Sequence, residues 1–375
     1  MTLMHQKQTI EDCVNDQVAR WDLTNSIDVY LTCGYGPPLC WKLYEFEPRS
    51  EELLGQLQYL QDPVTGASQR YQKYSPPLGL TKLDTSDDTH FETYMDQLLD
   101  PQLLADEFGY TCFEEERQID DFQAKLLDLL CGFYAQTQEY DDLHVLLRSI
   151  LRMMLLTYIM GHTLTLEEST THGVLAAIRH SRKPPSHALS IHTSPRLANR
   201  QLKFFFSVLR NQVYDQLLHW QQQTLHASTP KKEVTWLSAF CVMLGFAMVL
   251  EEVQRTIYIQ ADAKAAKGEM SQEQAETEAG NACERIDRRF ALLVGLFQCK
   301  YRDRKWGARG SFGNQTPELV DVNERHFLGS VYSLVVQKRK HLESRKDITL
   351  LPGNQCRFTS RLVARFLLPF LGLPP

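Results

Sequence analysis

The chain has 375 residues, of which 43% are hydrophobic and 23% are charged, and its formal net charge is -6 at pH 7. This composition is ordinary for a soluble globular protein with a large core. The acidic balance excludes a general attraction to nucleic acid or to an anionic membrane, so any such binding has to be local.

The N-terminal section, residues 1–118, is rich in proline, glycine and aromatic residues. Short extended segments are predicted in two places, Ser26–Cys33 and Trp41–Phe46. A turn at Asp62–Gly66 separates Leu57–Leu60 from Tyr71–Tyr74. Because proline fixes one φ angle there and glycine accommodates a positive one, the pattern predicts a hairpin.

From residue 119 onward, apolar residues recur every three or four positions, which predicts helices. Three helix starts have local signals: a capping box of Thr165 and Glu168, a serine N-cap at Ser194-Pro195, and Ser271 with Gln274. Two further helices are predicted near Val320–Arg345 and Thr359–Phe370. The sequence therefore predicts a mainly α fold, in which a helical body (residues 119–375) packs against the partly extended N-terminal section.

The segment Val234–Leu250 contains no charged residue. Its length is at the lower limit for a transmembrane helix, and a buried central helix or an exposed partner-binding groove are the alternatives. The helical pattern continues through Glu251 and Glu252 to Ala266 without a proline. A helix that is apolar all round in one half and amphipathic in the other favours the buried central helix and no membrane span.

Asp87-Asp88 with Glu92 resembles a metal-diphosphate site, because paired carboxylates bind hard cations. The second ligand set of such a site is missing, since Asn281 is followed by Arg285 and Arg289. We therefore predict a solvated loop at Asp87-Asp88. No histidine pair has zinc-ligand spacing on one helix face, so no metal site is predicted.

The nine cysteines include no Cys-x-x-Cys pair, and Met1–Glu11 is polar, without the apolar core of a signal peptide. The cysteines are therefore expected to be reduced core residues. There is no nucleophile elbow and no phosphate-binding loop motif, so no cofactor and no catalytic residue is predicted, and whether the chain is an enzyme stays open. The glycine-rich Gly307–Gly313 is expected to be a flexible connection.

One basic cluster is interleaved with aromatic residues: Lys300, Tyr301, Arg302, Arg304, Lys305, Trp306 and Arg309. Basic and aromatic side chains together are typical of sites for single-stranded nucleic acid or for an acidic partner. Cations are also expected at a helix C-terminus because they complement the helix dipole. The cluster is the candidate site for a ligand or partner.

Several segments resemble the C-terminal regulatory body of fungal zinc-cluster transcription factors and their fungal relatives. They are Trp236–Glu252, Pro195–Lys203, Leu296–Arg302, Thr359–Leu371, and Trp41 followed by Glu45–Arg49. The chain departs from that family because the six-cysteine zinc cluster is absent, although Cys33 and Cys40 have one of its spacings. The resemblance implies either a regulatory region without its DNA-binding part or a stand-alone protein that reuses the same body.

The resemblance implies a helical effector protein of the nucleus or cytoplasm that regulates transcription through protein partners or a small-molecule effector. Such a chain is not expected to bind duplex DNA specifically by itself, since it has no recognition motif. A homodimer is a further alternative. The second functional hypothesis is an enzyme of fungal specialised metabolism, such as a tRNA- or nucleotide-dependent synthase, that reuses the helical body.

Overall fold

A computed structural model describes residues 18–50, 53–61, 68–81, 87–114, 117, 120–179, 193–226, 234–266, 268–301, 322–350 and 360–371. The chain divides into two compact units. Unit 1 comprises Met1–Leu98 and His162–Leu209, and unit 2 comprises Leu99–Gly161 and Arg210–Pro375. The division between residues 118 and 119 stays a prediction.

The main sheet of unit 1 is antiparallel and has the strand order β5-β2-β1-β6. Its strands are β1 (Val18–Thr32), β2 (Leu39–Pro48), β5 (Leu78–Gly79) and β6 (Thr165–Leu166). Burial alternates along β1, where Ile27, Val29 and Leu31 are buried and the residues between them are exposed. This alternation is what a strand with one core-facing side requires. The two predicted extended segments fall on β1 and β2.

A separate hairpin pairs β3 (Gly55–Gln61) with β4 (Ser68–Tyr74). Its register places Leu57 opposite Gln72 and Leu60 opposite Gln69. The predicted hairpin is therefore present, whereas the predicted turn at Asp62–Gly66 lies outside the described residues.

Among its described residues, unit 1 contains three helices: α1 (Asp87–Leu98), α6 (Glu168–Ala177) and the first part of α7 (Arg196–His226). Phe91 of α1 stacks between Trp41 of β2 and Phe205 of α7, with ring centroids 4.7 Å and 4.0 Å away. These aromatic contacts join the sheet to its helices, because large rings bury more apolar area than any other side chain.

Two local predictions in unit 1 are wrong. Asp87 and Asp88 form the first turn of α1 and not a loop, where the helix dipole favours acidic residues. Thr165 is not a helix cap, since it lies in β6 opposite Thr32 of β1. The helix instead begins after Glu167, which caps without a side-chain hydrogen bond and whose backbone N–H donates to the Tyr30 carbonyl oxygen.

Unit 2 is helical in its described part. Its elements are α2 (Pro101–Leu103), a π-helical turn (Leu104–Phe108), α3 (Gly109–Cys112), α4 (Phe122–Gln136), α5 (Asp142–Gly161), the residues of α7 from Arg210 onward, α8 (Val234–Ala266), α9 (Gln272–Lys300), α10 (Val322–Gln337), α11 (Arg339–Arg345), α12 (Arg361–Leu367) and a 3-10 turn (Leu368–Leu371). The predicted mainly α fold is confirmed.

The charge-free segment lies in the core of unit 2 as the first half of α8. Every described residue from Trp236 to Glu251 is buried. Gly245 allows α8 and α5 to approach closely, because a Cβ atom there would lie 2.5 Å from Ile150 Cγ2. By length and composition α5 and α8 are apolar enough to cross a membrane, but 67% and 83% of their apolar windows are buried inside the chain. Core packing accounts for their sequences.

Two further predictions concern the ends of helices in unit 2. Ser271 caps α9, since its Oγ accepts the Gln274 backbone N–H at 3.1 Å. The helix predicted near Val320–Arg345 is divided at Lys338, the N-cap of α11. The Lys338 Nζ binds Asp120 and Asp121 at 2.9 Å and 2.7 Å, so the break places its ammonium group against the start of α4.

Candidate functional site

The structure describes two of the seven residues of the predicted basic cluster. Lys300 ends α9, and its Nζ donates to the Thr224 carbonyl oxygen in the last turn of α7. Tyr301 is the C-cap of α9, and its ring packs against Phe297 with the centroids 4.9 Å apart. The other five lie outside the described residues: Arg302, Arg304, Lys305, Trp306 and Arg309. The ligand or partner site at this cluster stays a prediction.

The carboxylate of Glu251 is buried in unit 2, where this residue is 2% exposed. It lies at the N-terminus of α12 and accepts three backbone N–H groups, from Ser360 at 2.9 Å, Leu362 at 2.5 Å and Val363 at 3.1 Å. Gln123 Nε2 of α4 donates to it at 2.5 Å. A side chain of α8 therefore supplies the hydrogen-bond acceptors that the free N–H groups of a helix start require.

Beside this carboxylate, α12 is attached to α9 by an ion pair between the buried Arg361 and Asp287, whose side chain is 23% exposed. The guanidinium of Arg361, which is 1% exposed, donates to both oxygens of Asp287 at 2.6 Å. It also donates to Gln254 Oε1 at 2.8 Å, and the Gln254 amide donates to Asp287 in turn at 2.7 Å. Arg365 adds a second guanidinium to Asp287 at 3.1 Å. We call these groups, with Glu251 and Gln123, the buried polar network.

Two pKa shifts describe the electrostatics of the buried polar network. Burial raises the pKa of Glu251 to about 7, and the N–H groups of α12 together with the charge of Arg361 counter this only in part. Burial acts in the same direction on Asp287, but the hydrogen bonds and charge of Arg361 outweigh it and hold the Asp287 pKa below its usual value. Asp287 is therefore ionised at neutral pH, whereas Glu251 takes up a proton near neutral pH.

Sequence reasoning did not identify the buried polar network. The only local signal was that Glu251 follows an uninterrupted apolar segment within one helix. Its partners are more than 100 residues away in sequence, so neither spacing nor periodicity could connect them.

A cleft of about 370 Å³ lies next to the buried polar network, between the second half of α8 and the first half of α9. From α8 it is lined at helical spacing by Ile257, Gln260, Ala261 and Lys264. From α9 it is lined mainly by alanines and by polar residues: Ala275, Glu278, Ala279, Asn281, Ala282 and Arg285. Ligand sites in proteins combine an apolar surface with a few polar groups in this way.

The described residues contain no group of three or more histidine, cysteine, aspartate or glutamate side chains that could hold a metal ion. None of the seven cysteines in the described part of the chain forms a disulfide bond. The cleft therefore offers amide, ammonium, guanidinium and carboxylate groups as its polar contacts.

A family model described as the KpeA transcription factor matches residues 1–366. The chain belongs to this family. Comparison with curated proteins and with solved structures finds no match. Membership of the KpeA transcription factor family covers both units, so the sheet, the buried polar network and the cleft all lie within the matched region.

Proposed function

We propose that the chain is the regulatory body of a transcription factor, and that it acts in the nucleus through protein partners or a small-molecule effector. The observation that carries the proposal is the family match over residues 1–366. The chain has a role in transcription as a member of that family, and the acidic composition supports recruitment by partners over direct binding of duplex DNA.

We further propose a relationship to the regulatory bodies of fungal zinc-cluster transcription factors. Two of the segments that carry this resemblance coincide with the core of unit 2, since Trp236–Glu252 is the buried half of α8 and Thr359–Leu371 contains α12. The buried polar network joins these two segments through Glu251. The two segments therefore pack in one core of unit 2, and this packing supports this part of the proposal.

The proposal is tested by fusing the whole chain to a DNA-binding domain of known operator and measuring a reporter gene in a fungal host. We expect reporter expression to change severalfold relative to the DNA-binding domain alone. A matched pair of variants serves as the control: Asp287→Asn disrupts the buried ion pair, and Glu284→Gln changes an exposed carboxylate of the same helix.

The effect should persist in Glu284→Gln and weaken in Asp287→Asn. Occupancy of the operator is measured by chromatin immunoprecipitation. Unchanged reporter expression at full occupancy in the wild-type fusion would contradict a regulatory role. Imaging of a fluorescent fusion tests the nuclear location, and light scattering of the purified chain tests for a homodimer.

A further inference from the structure

The cleft between α8 and α9 has the size and lining of a small-molecule site. Its volume of about 370 Å³ falls within the usual range for ligand pockets, about 300–1,000 Å³. Its partly exposed apolar lining residues, Ile257, Met270 and Ala282, form an apolar hollow. The alanines Ala261, Ala275 and Ala279 are buried in a packed cluster with Tyr258 and Cys283, and Ile257 and Met270 pack against that cluster.

The rim of the cleft carries polar groups that have no partner in the described part of the chain. The side chains of Gln260, Lys264, Asn281 and Arg285 line the cleft and make no hydrogen bond or ion pair with described residues. Glu278, the one carboxylate of the lining, accepts a hydrogen bond from the Gln274 amide at 3.2 Å. The cleft thus presents two cations and two amides to an incoming molecule.

This combination indicates the charge and polarity of the ligand. An apolar hollow takes up a hydrocarbon or aromatic group because its burial is favourable. Two cations against one carboxylate leave an excess of positive charge, and lysine and arginine bind carboxylates through charge-assisted hydrogen bonds.

We propose that the cleft binds a small amphipathic organic acid, with its apolar part against Ile257, Met270 and Ala282 and its carboxylate between Lys264 and Arg285. This inference rests on the proposed function for its role, that of an effector site in a transcription regulator. The binding itself is a property of unit 2 alone.

The position of the cleft connects such a ligand with the buried polar network. Ile257 and Gln254 are one helical turn apart on α8, and one lines the cleft while the other binds Asp287 and Arg361. On α9, Arg285 lines the cleft and Asp287, two residues further along, binds Arg361. A ligand that orders these turns therefore also stabilises the attachment of α12.

The binding test uses 1-anilinonaphthalene-8-sulfonate, an aromatic anion whose fluorescence rises in apolar surroundings, with the purified full-length chain. We expect saturable binding at one site per chain. Octanoate should displace the probe, and octylamine, which has a similar chain and the opposite charge, should not. Displacement by both compounds, or binding without saturation, would overturn the assignment of an acid.

Matched variants of α9 locate the site. Ala282→Leu extends a larger side chain into the cleft, whereas Ala291→Leu makes the same change at an exposed position of the same helix that does not line it. We expect Ala282→Leu to weaken probe binding at least roughly tenfold, a loss of about 1.4 kcal/mol, and Ala291→Leu to leave it unchanged.

The charge is tested in the same way. Arg285→Gln should weaken binding by about threefold to tenfold, as expected for a partly exposed charge contact. Arg288→Gln, at an exposed position one turn away that does not line the cleft, should have no effect. Urea unfolding of each variant verifies the fold. Equal binding by wild type, Ala282→Leu and Arg285→Gln would refute the cleft as the site.

The outcomes separate the two proposals. Probe binding in the cleft without any reporter effect of the fused chain would leave the ligand site standing and contradict the regulatory function. A reporter effect without probe binding would support the regulatory function and contradict the ligand site.

Discussion

Replacement of Asp287 by asparagine is expected to destabilise unit 2 strongly. The substitution keeps the shape of the side chain but leaves the guanidinium of Arg361, which is 1% exposed, without its bidentate counter-charge. Breaking a buried ion pair by removing one partner costs about 3–5 kcal/mol, because an uncompensated charge stays buried. For a unit of this size, 1 kcal/mol corresponds to a change of about 2–4 °C in Tm.

The assay is urea unfolding of the whole chain, followed by far-UV circular dichroism and by tryptophan fluorescence. Glu284→Gln is the matched control on the same helix. The Glu284–Arg288 pair has the same chemistry, with an N–O distance of 2.5 Å, but its side chains are 58% and 74% exposed. Exposed pairs contribute about 0–1 kcal/mol, so the midpoint should hardly change.

A double variant distinguishes loss of the pair from loss of packing. In Asp287→Asn with Arg361→Met neither charge of the pair remains, and much of the lost stability should return, as when other buried ion pairs are replaced by apolar groups. Equal midpoints for Asp287→Asn and Glu284→Gln would refute the reasoning. So would a double variant less stable than the sum of its single changes.

Further predictions concern packing and pH. Gly245→Ala should lower the free energy of unfolding by about 1–3 kcal/mol, because the added Cβ atom meets Ile150 Cγ2 at 2.5 Å. Gly132→Ala, where no atom lies within 4 Å of the added Cβ atom, should raise it by about 0.5–1 kcal/mol. Thermal unfolding compares the two variants, and similar Tm shifts would contradict the close approach of α5 and α8. Folding raises the pKa of Glu251 from 4.5 to about 7. Between these two pH values the folded chain therefore binds more protons than the unfolded chain. The stabilisation from Glu251 is complete below pH 4.5 and is lost as the pH rises to about 7. Urea midpoints at pH 5 and pH 8 should therefore differ less in Glu251→Gln than in the wild type, and an equal pH dependence would exclude Glu251 as the titrating group.

The sequence predicts those features that depend on neighbours along the chain. The whole extent of α8, Val234–Ala266, follows from one uninterrupted helical pattern, and the start of α9 follows from a serine that caps its own helix. These signals act within a few residues, so tertiary contacts did not need to be known.

Features that depend on distant partners could not be predicted. Thr165 has the local sequence of a helix cap, but pairing with Thr32 in the sheet determines its conformation. The relation between Glu251 and α12 spans more than 100 residues, and the cleft requires two helix faces to oppose each other. Of the predicted basic cluster, only Lys300 and Tyr301 can be placed, and the acceptor of Lys300 lies on a different helix.

The carboxylate at the start of α12 has a consequence for biosynthesis. Residues 360–371 leave the ribosome after the other described residues of unit 2, at about 5–20 residues per second. Until then Glu251 has no backbone donors from α12, and the rings of Phe240 and Phe297 lack their contact with Phe366. A nascent chain at this stage exposes apolar surface around an unsatisfied acid, which is the kind of surface that chaperones retain. Synthesis of α12 therefore completes the hydrogen bonds of Glu251 and the aromatic contacts of Phe366, and a premature stop codon before Arg361 would leave both unmade.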